Sequence, residues 1–220
     1  VGPLWIGTTS RQRMLGFCKL GVDVESIDTT PPDGHALKSL GARLGRRMGL
    51  DWDLAGANQQ ILEAVYRSPP GLIWIEKGLT IKPKVLSEIK QRHPGIRLIA
   101  YSPDDMLLPT NQSRSYLRSI ACYDWHVTHK SFNVSELTAL GARRVYYAVK
   151  SFDEQTYYPR QLTVSEQEKW GADVAFLGGY EQPRFETMLA VAQMGIRVKI
   201  WGPGWERVVK RHVNLEVRPG

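Results

Sequence analysis

The chain has 220 residues, enough for one large domain or two small ones with real cores. Its 42% hydrophobic and 23% charged content is that of a folded protein, and its longest apolar runs fall far short of the roughly 18 residues of a membrane span. The net charge of +7 is spread along the chain, with one modest cluster at Arg43, Arg46 and Arg47, so it describes a solvated surface or a cleft for a phosphate-bearing small molecule and gives no motive for nucleic acid.

In chain order, the pattern alternates short apolar runs with amphipathic segments, which is the signature of βα units. The opening "VGPLWIGTTSRQR" leaves only one or two residues of strand before a turn and a helix over 9–20 with Ser10 as an N-cap type. A central strand of a doubly wound sheet is normally longer, and the end "NLEVRPG" follows directly on another strand-like run, so the chain reads as a fragment cut at both ends. Strands are expected at 22–29, 71–78, 96–103, 124–130 and 144–151, and helices at about 34–48, 55–67, 83–92, 111–121 and 131–140. Pro83 suits a first helical turn, Asn111 is an N-cap type, "SFNVSEL" offers Ser or Asn with Glu136 as a capping arrangement, and Gly141 closes its helix.

Residues 152–170 are polar and lack a period, so they read as a connection. The pattern then restarts with a strand at 172–177, a glycine loop, a helix at about 182–194, a strand at 196–201 and a second glycine-rich turn. The expected fold is therefore α/β with mostly parallel sheets: a Rossmann-like domain over 1–151, a linker over 152–170, and the first βαβ of a second Rossmann-like domain over 171–220.

In such sheets ligands lie beyond the carboxyl ends of the strands, which makes each exit loop a candidate site. "GTTSRQR" sets Gly7, Thr8, Thr9 and Ser10 at a helix start beside Arg11 and Arg13, where they either hold an acceptor or anion or cap the helix. "EKG" supplies Glu76 and Lys77, "SPDD" supplies Asp104 and Asp105, and "HKSFN" supplies Lys130. "FLGGYEQPRF" places a glycine pair before a helix N-terminus, an arrangement suited to phosphate, although it is neither GxGxxG nor a P-loop and also serves as a tight turn. Cys122, His126 and His129 do not form a metal set, because the two histidines alternate across a strand. Two cysteines give no disulfide framework, which fits a reduced, cytoplasmic protein. Trp5 and Trp205 lie in loops, where a flat ring can act as a sugar platform.

Taken in order, "VGPLWIGTTSRQR", "IWIEKG", "YSPDDMLLPTNQSRSYL", "THKSFNVSELTALGARRV" and "ADVAFLGGYEQPRFETMLAVAQMGIRVKIWGPGW" cover nearly the whole chain and resemble the CgeB-type family, the spore-maturation-protein-like glycosyltransferases related to group 1 transferases. The resemblance implies a GT-B fold: an N-terminal domain facing a carbohydrate or other glycosylatable acceptor, and a C-terminal domain holding a nucleotide-sugar, with the interdomain cleft between them. It implies that Gly178, Gly179, Tyr180, Arg184, Gly202 and Gly204 face the donor diphosphate, that no metal or other cofactor is needed, and that a further acidic donor-binding segment follows in family members. A base for the acceptor hydroxyl, required if the mechanism inverts, would come from Asp104, Asp105 or Glu76. The alternative is a non-catalytic carbohydrate-binding or coat-assembly protein that keeps the fold. A receiver-like phosphoacceptor switch is disfavoured, since its acid pair would follow the first strand and this one follows the fourth. Sugar, acceptor, stereochemical outcome and oligomeric state are left open.

Overall fold

A computed structural model describes residues 1–31, 52–109, 111–208 and 212–218. The expected helix at 34–48 and its arginine cluster lie outside the described residues. The chain divides into two compact units, Val1–Tyr157 and Tyr158–Gly220.

The first unit is built on a parallel four-stranded sheet in the order β1 (Leu72–Glu76), β2 (Arg97–Ser102), β3 (Trp125–Thr128), β4 (Val145–Tyr147). Val1 and Gly2 extend it past β1: the Val1 nitrogen donates to Trp74 and the Glu76 N–H to Val1, in the manner of a parallel pair. Gly2 then forms a parallel bridge to Asp28. The chain therefore steps outward from residues 1–2 to 27–29, and later returns to place β1 on the opposite side of residues 1–2. That reversal is a topological switch point, the place where open α/β sheets bind ligands. Gly2 is required there by close approach, since a Cβ would sit 2.7 Å from that of Glu76.

Of the expected strand at 22–29, only 27–29 pairs, because residues 1–2 offer just two positions and the polar residues of "VDVES" gain nothing from burial: Val22, Asp23 and Glu25 are exposed. The other strands form where expected, with frayed ends.

Helices cover both faces. On one, α2 (Ala57–Arg67) buries Ala57, Ile61 and Val65, four residues apart, and α3 (Pro83–Arg92) buries Val85, Leu86 and Ile89 against Ile73, Ile75 and Leu98. Each buried side chain of this kind contributes roughly 1.5–3 kcal/mol. On the other, α1 (Thr9–Lys19) packs Phe17 edge-on against Trp74.

The expected helix at 111–121 begins later, as α4 (Arg114–Ser119) followed by a 3₁₀ turn. Ser113 is its cap, because the Asn111 amide donates instead to the Asp105 carbonyl. Helix α5 (Ser131–Ala139) starts at Lys130 without a side-chain cap; Glu136 accepts from buried Asn133 rather than closing a capping box. Gly141, at φ +93°, ends it as expected.

Asp124 anchors the entry to β3. It accepts from Lys90 at 2.9 and 3.0 Å and from the Leu98 N–H at 2.8 Å. Burial opposes its ionisation, but these donors outweigh it and hold the carboxyl below its ordinary value. A lowered folded-state pKa stabilises the fold above the ordinary carboxylate range, and that contribution is lost as pH falls through the lowered value. Asp124→Asn should therefore lose roughly 1.5–3 kcal/mol at neutral pH, with the gap to wild type closing in acid. Urea midpoints measured from pH 6 down to pH 2.5 would record this.

The second unit has a parallel sheet in the order β5 (Val174–Leu177), β6 (Val198–Trp201), β7 (Leu215–Arg218). Helix α7 (Gln182–Gln193) packs Phe185, Leu189 and Ala192 with Val198, Ile200 and Trp205. Part of the expected connection is ordered: α6 (Val164–Trp170) forms because Thr163 and Glu166 cap each other's backbone N–H groups. It buries none of its residues, which is why no apolar period announces it. Among the described residues, no helix is long and apolar enough to cross a membrane.

Candidate functional site

In the first unit the parallel strands deliver Pro3, Glu76, Ser102 and His129 to one edge of the sheet. Thr8 caps α1 by accepting the Arg11 N–H at 3.3 Å, while its hydroxyl lies 2.9 Å from the carbonyls of Pro3 and Trp5. Gly7 supports the turn at φ +95°. This cap orients Ser10 and Arg13 toward the sheet.

Glu76 receives them. Its carboxylate, almost wholly buried, accepts Arg13 Nε and Nη2 at 2.7 Å each, Trp74 Nε1 at 2.9 Å and Ser10 Oγ at 3.3 Å. The fork-to-fork geometry is the strongest arrangement open to an ion pair. Arg13 also lies over the Tyr101 ring, 4.1 Å from its centroid, and donates to Thr9 Oγ1. Glu76 is thus an internal anion beside the start of α1, with its acceptor positions occupied, rather than a general base.

Tyr101 carries the network onward to His129. The His129 Nδ1 faces the Ala148 carbonyl, so it bears the proton and Nε2 accepts from the phenol. Burial, opposed by Arg13 and reinforced by Glu76, raises the Tyr101 phenol above its ordinary pKa. It stays a donor.

The acid doublet splits in function. Asp105 accepts from the Asn133 amide and the Leu107 N–H, both at 3.0 Å, and these donors with nearby Lys130 hold it below the ordinary carboxylate value against partial burial. It fixes the turn to the start of α5. Asp104 is 42% exposed and pairs with Lys77, 41% exposed, at 2.5 Å. Ser102 Oγ ties the loop beneath it.

Lys77 itself is held at φ +59°, the sole non-glycine residue with positive φ among those described. The Gly78 N–H closes a three-residue turn on the Glu76 carbonyl at 2.7 Å. Such a turn is rare and strained for an L residue, costing roughly 1–2 kcal/mol.

Behind this edge lies a cavity of about 10 Å³ touching Ser102, Thr128 and Asn133, room for one water at most. His126, also on its wall, gives Nε2 to the Ile120 carbonyl, and burial keeps it below its ordinary pKa. It is a packed strand residue, as its position on β3 implies.

In the second unit the two glycine turns grip each other. The Gly178 N–H donates to Trp201, the Tyr180 N–H to Pro203, and Trp205 Nε1 to the Gly178 carbonyl at 2.7 Å. Arg184 donates to the Gly179 carbonyl and pairs with Glu181. The Gly179 N–H has no partner among the described residues. Gly202 and Gly204 are required by the protein itself, through contact with Gly178 and Tyr180. Trp205 is 1% exposed and cannot serve as a sugar platform, whereas Trp5 is 60% exposed.

Sequence reasoning weighed His129 only as a metal ligand and gave Tyr101 and Trp74 no part in the site. Their signal was the period of two: Trp74 and Glu76 share a face of β1, and Tyr101 stands level with Glu76 on β2. No protein-family model matches this chain, and no curated protein matches it.

Proposed function

We infer that the chain contributes to a glycosyltransferase, with the Val1–Tyr157 unit serving the acceptor and the Tyr158–Gly220 unit contributing to a nucleotide-sugar site. One observation carries this division of labour. Beside the start of α1, at the switch point of the first unit, the Glu76 carboxylate already meets Ser10 and Arg13. A phosphate brought to the first turn of α1 would meet that buried negative charge, whereas the exposed Lys77 ammonium faces the 102–105 loop instead. The carboxylate in the glycine turn of the second unit, Glu181, is 58% exposed rather than buried and pairs only with Arg184 among the described residues, while Gly179 retains its N–H. Leaving-group charge on a nucleoside diphosphate needs donors of this type. Donor residues in this reading are Gly178, Gly179, Tyr180 and Arg184, with Gly202 and Gly204 holding the turn's shape.

Asp104 is the acid best placed as a base, because Glu76 and Asp105 are engaged by the fold. That same engagement favours the second reading, a carbohydrate-binding or coat-assembly protein without turnover.

The protein that carries this chain should be tested with a panel of nucleotide-sugars by thermal shift. A donor at 100 times its Kd adds about 2.7 kcal/mol, or on the order of 5–10 °C. With that donor, Asp104→Asn should keep the shift and lose on the order of 10²-fold or more in transfer. A shift without transfer by wild type selects the binding reading. Absence of any shift removes the nucleotide-sugar proposal, and full activity in Asp104→Asn makes the doublet a turn.

A further inference from the structure

Two unfavourable features meet at the exit of β1, and neither is explained by packing. Lys77 adopts a backbone conformation suited to glycine, and beneath the turn the hydroxyl of Tyr123 is fully buried without a hydrogen-bond partner. That phenol lies against Gly78, where a Cβ would come within 2.8 Å of its oxygen. Burial raises the Tyr123 phenol strongly, so it remains a protonated donor facing the turn. Strained residues and orphaned polar groups persist where a ligand or a moving part makes use of them.

The side chain at this point is a cation with an exchangeable partner. Lys77 and Asp104 are each about two-fifths exposed, and an ion pair so placed contributes little in water. An incoming carboxylate or phosphate would meet the same ammonium at small cost. The turn opens at the switch point, between the Pro3–Thr8 segment, which carries exposed Trp5, and the 102–105 loop. By contrast, Arg13 is locked bidentately on Glu76 and is not available for exchange.

We propose that Lys77 anchors an anionic group of the ligand of the Val1–Tyr157 unit, so that the acceptor belongs to the acidic class, a glycan bearing carboxylate or phosphate. This rests on the acceptor reading of that unit. Exchange of Asp104 for the ligand's anion on Lys77 also frees the Asp104 carboxylate to accept a hydroxyl proton. Lys77 is then retained at a cost to stability, for which glycine would be the better residue.

The test uses the full chain, without any donor, and three probes: an oligogalacturonate, the matching neutral galacto-oligosaccharide, and inorganic phosphate, each titrated by calorimetry. Wild type should bind the oligogalacturonate or phosphate, which distinguishes the source of the anion, and bind the neutral sugar at least tenfold more weakly. Lys77→Gly should lose tenfold or more in anion affinity while its urea midpoint equals or exceeds that of wild type. Lys77→Asn, which tolerates the same backbone, should show the same loss and guards against a glycine-specific effect. No binding of either anion, equal binding by the variants, equal binding of the neutral sugar, or a lowered midpoint in Lys77→Gly each overturns the proposal. Because no nucleotide-sugar is present, these outcomes are independent of the donor test.

Discussion

Glu76→Ala is expected to destabilise the Val1–Tyr157 unit by about 3 kcal/mol, seen as a lower urea midpoint and faster hydrogen exchange in β1 and β2. The substitution removes the acceptor of the Arg13 fork, of Trp74 Nε1 and of Ser10 Oγ together. Breaking a buried ion pair from one side costs roughly 3–5 kcal/mol, because the remaining charge is stranded. Here Arg13 is 25% exposed and can turn partly to water, which places the expectation at the low end. Glu76→Gln keeps one acceptor oxygen and replaces the other by an amide NH2, so it should lose less, though its amide N–H groups confront those of Arg13. Arg13→Met should cost a similar amount to Glu76→Ala by stranding the carboxylate instead. Combining it with Glu76→Leu should recover part of the loss, since a paired apolar replacement leaves no buried charge behind. If Glu76 were instead a poorly coupled base, its removal would leave stability within about 0.5 kcal/mol of wild type.

The elements were legible because their causes are local. "GLIWIEKG" and "IRLIAYSP" are apolar runs bounded by turn residues, and Pro83 and Gly141 mark helix ends by their own backbone preferences. What joins distant parts was not. Arg13 and Glu76 stand 63 positions apart, and Tyr101 and His129 stand 28 apart. No periodicity links such residues; only the switch-point topology brings them to one edge. The Asp104–Asp105 doublet shows the same limit at close range. Adjacent carboxylates look equivalent as letters, yet Asn133 takes one and Lys77 the other. Ser113 in place of Asn111 as a helix cap was decided likewise by a tertiary partner, the Asp105 carbonyl. Lys77 carried no sequence sign of its positive φ, because lysine in that conformation contradicts the residue preferences on which such readings depend.

Gly202→Ala should be the most damaging single-methyl change in the Tyr158–Gly220 unit, on the order of 4 kcal/mol. A Cβ at 202 would lie 2.1 Å from the Gly178 carbonyl oxygen and 2.7 Å from its carbon, and both atoms are backbone. Relief requires moving the β5 exit. That movement breaks the Trp205 Nε1 bond to Gly178 and the Gly178 N–H bond to Trp201, and uncovers Trp205, the largest side chain in this small core. Backbone strain at φ +146° adds to overpacking and to a lost buried hydrogen bond, each worth about 1–3 kcal/mol and not strictly additive. Gly195→Ala supplies the control. Gly195 also has positive φ, at +88°, but nothing stands within 4 Å of its added methyl, so it should cost about 1 kcal/mol. Amide exchange across 172–208 should therefore rise sharply in Gly202→Ala and modestly in Gly195→Ala. If the two variants exchange alike, the glycines of the second turn are free of Gly178, and their place beside it answers to a ligand rather than to the packing of one loop on another.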